Sequence, residues 1–260
     1  MKRTKATIAF IGHGSPLNIL ANNKYTQDLR AWSRGLPRPE AVIVISAHWQ
    51  TRGTFVSCQN QPRQVYDFYG FPEELYQVAY PCPGAPEWAK KIVKLLKAHK
   101  VECSEEWGID HAAWAVLTHV FPHADIPVVE ISLDMTQAPA YHYALGRALQ
   151  PLKEEPCLII GSGNMVHNLG DISWEEHSPE MPWARKLAFQ LRTMITEHQH
   201  QALTTFPDSG LEARRGMPTL DHYLPMLYTL ALQERESIAF IHQGLQNGSI
   251  SMDSFYFKNE

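Results

Sequence analysis

No stretch of this sequence is long and apolar enough to cross a bilayer. The longest apolar runs, Ala41 to Ile45 and Leu158 to Ile160, fall far short of the about 20 residues that a spanning helix needs. An excess of charge of one sign is missing too. The 23 Lys+Arg and 27 Asp+Glu leave a formal charge of −4, which gives no global pull towards nucleic acid or an anionic membrane. Short basic pairs such as Lys90-Lys91 and Arg214-Arg215 read as solvated surface. Cysteine is scarce: Cys58, Cys82, Cys103 and Cys157 are scattered and form no C-x-x-C pair. That excludes a disulfide scaffold, and the four are expected to be reduced thiols. The Gly-rich stretch Gly161-Ser162-Gly163-Asn164 lacks the Lys of a P-loop and the full dinucleotide fingerprint. Met1 to Thr7 carries basic residues without the apolar segment of a secretory signal, so the cytoplasm is the expected location.

What remains is the composition of a globular protein, 44% hydrophobic and 19% charged over 260 residues. Apolar, β-branched runs at Thr7–Ile11, Ala41–Ser46, Thr54–Cys58, Ile126–Leu133, Cys157–Ile160 and Ser237–Ile241 predict strands. Ser251–Phe257 predicts a last strand at a sheet edge. Helices are expected over Tyr25–Leu36, Glu87–His99, Ala112–Phe121, Ala140–Leu152, Pro182–Gln201 and Tyr223–Leu232. Gln59 to Pro86, rich in proline and aromatics, reads as a long structured loop with a brief helix near Glu73. Alternating strands and helices predict one α/β domain over residues 1–260, with a central, largely parallel sheet flanked by helices.

The informative feature is histidine. There are 13 in the chain, and three fall just past apolar strands: His13 in Gly12-His13-Gly14-Ser15-Pro16, His48 in Ser46-Ala47-His48-Trp49, and His167 after the strand ending near Ile160. Ligands of parallel sheets bind outside the carboxyl ends of the strands, and right-handed crossovers put those ends on one side. Three such histidines can therefore converge on a metal. Two more stand beside an acid, which can orient an imidazole: His222 in Leu220-Asp221-His222-Tyr223, near a helix start, and His111 in Ile109-Asp110-His111, expected in a loop. For these two the plainer reading is an N-cap Asp beside a surface His. His99, His198 and His200 fall at polar helix ends, and His119, His123, His142, His177 and His242 have no motif around them.

Six motifs, in chain order, resemble one family. They are Gly-His-Gly-Ser-Pro at 12–16, Ser-Ala-His-Trp at 46–49, Asp-Phe-Tyr-Gly-Phe-Pro at 67–72, Trp-Gly-Ile-Asp-His at 107–111, Ser-Gly-Asn-Met-Val-His-Asn at 162–168 and Pro-Thr-Leu-Asp-His-Tyr-Leu-Pro at 218–225. Together they resemble the 4,5-DOPA extradiol dioxygenases, a branch of the class III extradiol ring-cleaving dioxygenases, and the chain looks like a bacterial member. Gly-His-Gly-Ser alone also opens sirohydrochlorin-type chelatases. The resemblance implies one divalent metal per chain on His13, His48 and His222. It implies an active-site His167, either a fourth ligand or the acid/base, and a further active-site His111. It also implies a small aromatic catechol and O2 as substrates, with a muconic semialdehyde as product. The wider superfamily holds Fe(II) on two His and a carboxylate. Here the third position is His222, and a His-only set also suits Zn(II), so both metals stay open. Val65 to Pro83, with Trp49 and Tyr223, offers walls for an aromatic ring or ordinary core packing. The competing readings are a chelatase or zinc hydrolase on the same histidines, or a non-catalytic metal-binding protein.

Overall fold

Continuous apolar runs need cover on both faces, and four of them form the centre of one sheet. The structure, a computed structural model, describes residues 5–175 and 178–258. His177 and residues 1–4 lie outside the described residues. In chain order the strands are β1 (Thr7–Gly12), β2 (Ala41–Thr51), β3 (Phe55–Ser57), β4 (Glu102–Ser104), β5 (Val128–Asp134), β6 (Cys157–Gly163), β7 (Ser237–His242), β8 (Leu245–Gln246), β9 (Ile250–Ser251) and β10 (Ser254–Lys258). The helices are α1 (Lys24–Ser33), α2 (Glu73–Tyr76), α3 (Pro86–Leu95), α4 (His111–Val120), α5 (Pro139–Ala148), α6 (Pro182–Thr196), α7 (His200–Thr205), α8 (Leu211–Gly216) and α9 (Leu224–Leu230).

The main sheet has the order β4-β3-β5-β2-β6-β1-β10-β7, and β8 pairs with β9 separately. Its centre, β5-β2-β6-β1, is parallel throughout. Along these strands alternate side chains enter opposite layers. Ile8, Phe10, Ile43 and Ile45 pack with Leu145, Leu191 and Leu227 of α5, α6 and α9. Ala9, Ile11, Val42 and Val44 pack with Leu29 and Leu117 of α1 and α4. Each large aliphatic buried this way contributes about 1.5–3 kcal/mol. The result is the expected single α/β domain, with helices on both faces of a largely parallel sheet.

Three expectations are corrected. The last strand is not at an edge: β10 lies between β1 and β7, antiparallel to both, and β7 takes the edge. The helix expected over Pro182–Gln201 stops at Thr196, and the chain turns through His198, which has a left-handed φ of 57°, before α7 begins. Two of the four cysteines are not free thiols. Cys58 and Cys103 form a disulfide, because β3 and β4 run parallel in a register that opposes Val56 to Cys103 and sets the two Cα atoms 5.7 Å apart. That lies within the span a disulfide bridges, and nothing in a sequence separation of 45 signals it. Cys82 and Cys157 are free and buried, as expected.

The carboxyl end of β6 organises the region where the histidines gather. Gly163 O accepts the His13 N–H at 3.2 Å, and Asn164 N–H donates to His222 O at 2.9 Å. A Cβ on Gly163 would stand 2.1 Å from His222 O, so only glycine allows this approach. Gly163→Ala should therefore push two backbones apart and destabilise the fold by at least about 1–3 kcal/mol. Urea unfolding measures it, and an unchanged midpoint and slope would show that the strand end has slack.

Candidate metal centre

Five histidines from five parts of the chain meet at the carboxyl ends of β1, β2 and β6. His13 directly follows β1. The next residue, Gly14, has a φ of +63° that lets the chain turn away at once. His48 is not past its strand but inside it. The ladder of β2 with β5 runs to Ile45↔Ile131 and resumes at Gln50↔Leu133, so residues 46–49 bulge out of register. Such bulges re-aim side chains, and this one carries His48 into the site. His111 is the first residue of α4 rather than part of a loop. His222 precedes α9, against Gly163. His167 lies four residues beyond β6, its N–H donating to Gly216 O at 2.8 Å.

His13, His48 and His222 form an all-histidine set, with one nitrogen from each inside a mutual span of 4.8 Å. Their rings lie 5.0–5.2 Å apart by centroid. Each holds its Nδ1 against an oxygen. His13 Nδ1 meets Ser162 Oγ at 3.0 Å. That hydroxyl already donates to Ala112 O at 2.6 Å, so it accepts from the imidazole. His48 Nδ1 lies 2.9 Å from Asp67 Oδ2, a hydrogen-bond separation with the N–H turned off the oxygen, which has no other partner. His222 Nδ1 donates to Asp221 Oδ2. Protons on all three Nδ1 atoms leave lone pairs on all three Nε2 atoms.

The Nε2 atoms of His13 and His48 are 3.2 Å apart. Two lone pairs at that distance repel unless a proton or a metal ion lies between them. Metal–nitrogen bonds of about 2.0–2.1 Å at a tetrahedral angle separate two ligand nitrogens by about 3.3 Å, so the donor set fits a divalent ion. The electrostatics favour the neutral, ligating state. Burial, reinforced by the neighbouring imidazoles, holds His13 well below the usual histidine range. Burial holds His222 down to about 4 despite Asp221. His48 is the exception: burial lowers it, but the Asp67 carboxylate outweighs burial and raises it. A metal entering between His13 and His48 therefore competes with a proton for that place.

His111 and His167 flank the set. His111 is buried, its ring 4.1 Å from His48 and 5.5 Å from His13. Its backbone N–H and its Nδ1 both lie 3.0 Å from Asp67 Oδ1. The carboxylate expected to orient it, Asp110, faces away. Asp110 accepts from Ser46 Oγ at 2.6 Å and Trp107 Nε1 at 3.2 Å, and its N–H donates to Glu130 Oε1 at 2.9 Å. Ser46 Oγ in turn accepts the His48 N–H at 3.1 Å, so Asp110 steadies the bulge. Burial raises the carboxyls of Asp110 and Glu130 above the usual range. His167 stacks on His222, centroids 3.5 Å apart and planes 7° from parallel. Burial pushes it down to about 2. One nitrogen of His167, one of His222 and a carboxylate oxygen of Asp221 lie within 4.8 Å of one another, a further set of groups that could hold an ion.

Asp67 and Ser162 are the site residues that the motifs contained without marking, whereas Asp221 orients His222 as its place in the chain suggested. Among the expected aromatic walls, Phe68 packs edge-on to His111 at 5.5 Å and Trp49 stacks on Trp107 at 6.0 Å. Tyr223 is core: it is fully buried, and its hydroxyl donates to Leu203 O at 2.9 Å. The remaining described histidines stay outside the site. His119 bonds Asn18 O, His142 contacts Tyr228 Oη, and His242 pairs with Asp28.

Known proteins share this architecture. The chain is 40% identical over 258 residues to the 4,5-DOPA dioxygenase extradiol of Escherichia coli K12, covering 97% of this chain and 94% of that one. It is 33% identical over 255 residues to the enzyme of the same name from Beta vulgaris, covering 95% of each. A crystal structure of an uncharacterized Escherichia coli K12 protein superposes with a TM-score of 0.83 at 37% identity, over 97% of this chain and 99% of that one. Residues 7–257 match the family described as the catalytic LigB subunit of aromatic ring-opening dioxygenase. With that match extending over nearly the whole chain, the chain belongs to the LigB family of aromatic ring-opening dioxygenases.

Proposed function

We propose that this enzyme is an extradiol dioxygenase that opens the ring of a catechol such as L-DOPA with O2, giving a muconic semialdehyde. The observation that carries the reading is the convergence of three imidazole lone pairs, from His13, His48 and His222, beside two further neutral-leaning imidazoles. The names of the Escherichia coli and Beta vulgaris relatives support L-DOPA as the first substrate to try. His13, His48 and His222 are the proposed ligands of one divalent ion. Fe(II) bound there supplies electron transfer between a catecholate and O2, whereas Zn(II), which the same nitrogens suit, has no redox chemistry. Three ligands on one side leave coordination positions open for substrate.

The chain's own part is protonic and steric. His111 is the proposed base. With Nδ1 facing Asp67, its free nitrogen is Nε2, and burial keeps it below the usual histidine range and so unprotonated at neutral pH. His167, half-buried and stacked on His222, is the proposed partner for a second proton exchanged with the substrate oxygens. Phe68, edge-on to His111, is the proposed apolar surface for the catechol ring. The proposed working place is the cytoplasm, where Cys82 and Cys157 stay reduced and the Cys58–Cys103 pair follows the local redox poise.

The direct test loads the protein anaerobically with Fe(II), adds L-DOPA, then admits oxygen. Oxygen uptake with a yellow product is expected, and neither should occur with the Zn(II) form. Absence of uptake with every catechol tried would refute the dioxygenase reading.

His13→Ala and His48→Ala should each abolish stoichiometric metal and lower the Tm in metal-containing buffer, since binding to the folded state is linked to stability. Elemental analysis checks it, and full metal content in both variants would move the ligands elsewhere.

His111→Gln and His167→Gln should keep the metal and lose about 10²–10⁴-fold in kcat, the usual worth of acid/base catalysis. Loss of metal from His167→Gln would make it a ligand instead, and full activity with full metal would remove it from both roles.

A further inference from the structure

One carboxylate touches both kinds of histidine in the site. Asp67 reaches in from the loop between β3 and α2. Its Oδ1 meets the His111 backbone N–H and the His111 Nδ1, both at 3.0 Å. Its Oδ2, buried and without another partner, stands 2.9 Å from His48 Nδ1 with the N–H turned off it, close enough for the carboxylate charge to act on that nitrogen. An ionised carboxylate accepts and never donates, so both imidazoles have to carry their proton on Nδ1. A ring with a bare Nδ1 would set a lone pair against a carboxylate oxygen.

We propose that Asp67 is a positioning residue that fixes the tautomers of His48 and His111 together. It keeps one Nε2 free for the metal and the other free for the substrate proton. The proposal rests on the reading of His48 as a ligand and His111 as the acid/base. Among the described residues, nothing else does this for either ring. Ser162 serves His13, Asp221 serves His222, and Asp110 is engaged with Ser46, Trp107 and Glu130.

The chemistry of an amide makes this testable. Asp67→Asn has nearly the same shape but one acceptor and one donor. Its oxygen would remain with the two His111 donors, and its NH2 group would then face His48 Nδ1. That drives His48 to the Nε2–H tautomer, which has no lone pair for the metal. The opposite flip of the amide would instead drive His111 to Nε2–H and remove the base. One of the two rings must change.

The experiment is ¹⁵N NMR of histidine-labelled, metal-stripped full-length protein at alkaline pH, where both rings are neutral. Titration of each form with Zn(II) alone accompanies it. The wild type should show both His48 and His111 protonated on Nδ1. Asp67→Asn should show one of them switched to Nε2–H. A switched His48 should come with metal affinity reduced about 10–100-fold, the usual effect of losing a carboxylate that orients a ligand. Two Nδ1–H rings in Asp67→Asn would overturn the proposal whatever the metal affinity, because a merely structural Asp leaves the tautomers alone. Should the variant not fold, an Nε2–H signal from either ring in the wild type would overturn it, and two Nδ1–H rings would support it. The tautomers are read without metal, so failure of the metal assignment, seen as full metal content in both His13→Ala and His48→Ala, is a separate result.

Discussion

An imidazole can present a lone pair at a fixed point only if its other nitrogen is held, and this site depends on that constraint. Ser162, Asp67 and Asp221 hold the Nδ1 atoms of His13, His48 and His222. With those atoms engaged, three Nε2 lone pairs are forced into a space of a few ångströms. A proton shared between His13 Nε2 and His48 Nε2, 3.2 Å apart, or a divalent cation in its place offsets their repulsion. Metal affinity and site geometry are then two aspects of one arrangement.

The sheet makes the arrangement rigid. β1 and β6 are locked in parallel register, and His13 N–H continues that ladder onto Gly163 O. Gly163 in turn admits the His222 backbone at a distance that no side chain permits. Two of the three imidazoles are thereby referred to a single peptide unit. The third arrives through the β2 bulge, whose Ser46 is tied to the buried Asp110. Buried carboxyls under the site are costly to ionise, and burial raises Asp110 and Glu130 accordingly. They are retained where they orient the backbone that carries His48 and His111.

The same low-dielectric setting explains why the histidines differ. Burial, reinforced by the neighbouring imidazoles, drives His13, His222 and His167 towards the neutral form, whereas the Asp67 carboxylate reverses this for His48. A cluster of five identical side chains therefore carries graded proton affinities, set by what lies behind each ring. That grading is what a reaction needing both metal ligation and proton transfer requires.

The strands were legible in the sequence because β1, β2, β5 and β6 are unbroken apolar runs, and such runs have to be covered on both faces. The histidines at their ends were legible for the same reason: in a parallel sheet the carboxyl ends collect on one side. The motifs brought in His111 and His222, which strand periodicity alone did not place. Other features depended on contacts that no local pattern encodes. The β2 bulge exists only against β5, and β10 is interior only because β7 pairs outside it. Cys58 and Cys103 meet only through the β3–β4 register. Asp110 stands next to His111 in the chain, yet Asp67, 44 residues away, holds its ring. A sequence lists which groups are neighbours along the backbone, and hydrogen bonds are made between groups that are neighbours in space. The kinds of residue at this site were therefore written in the chain, and the partner of each imidazole was decided by the fold.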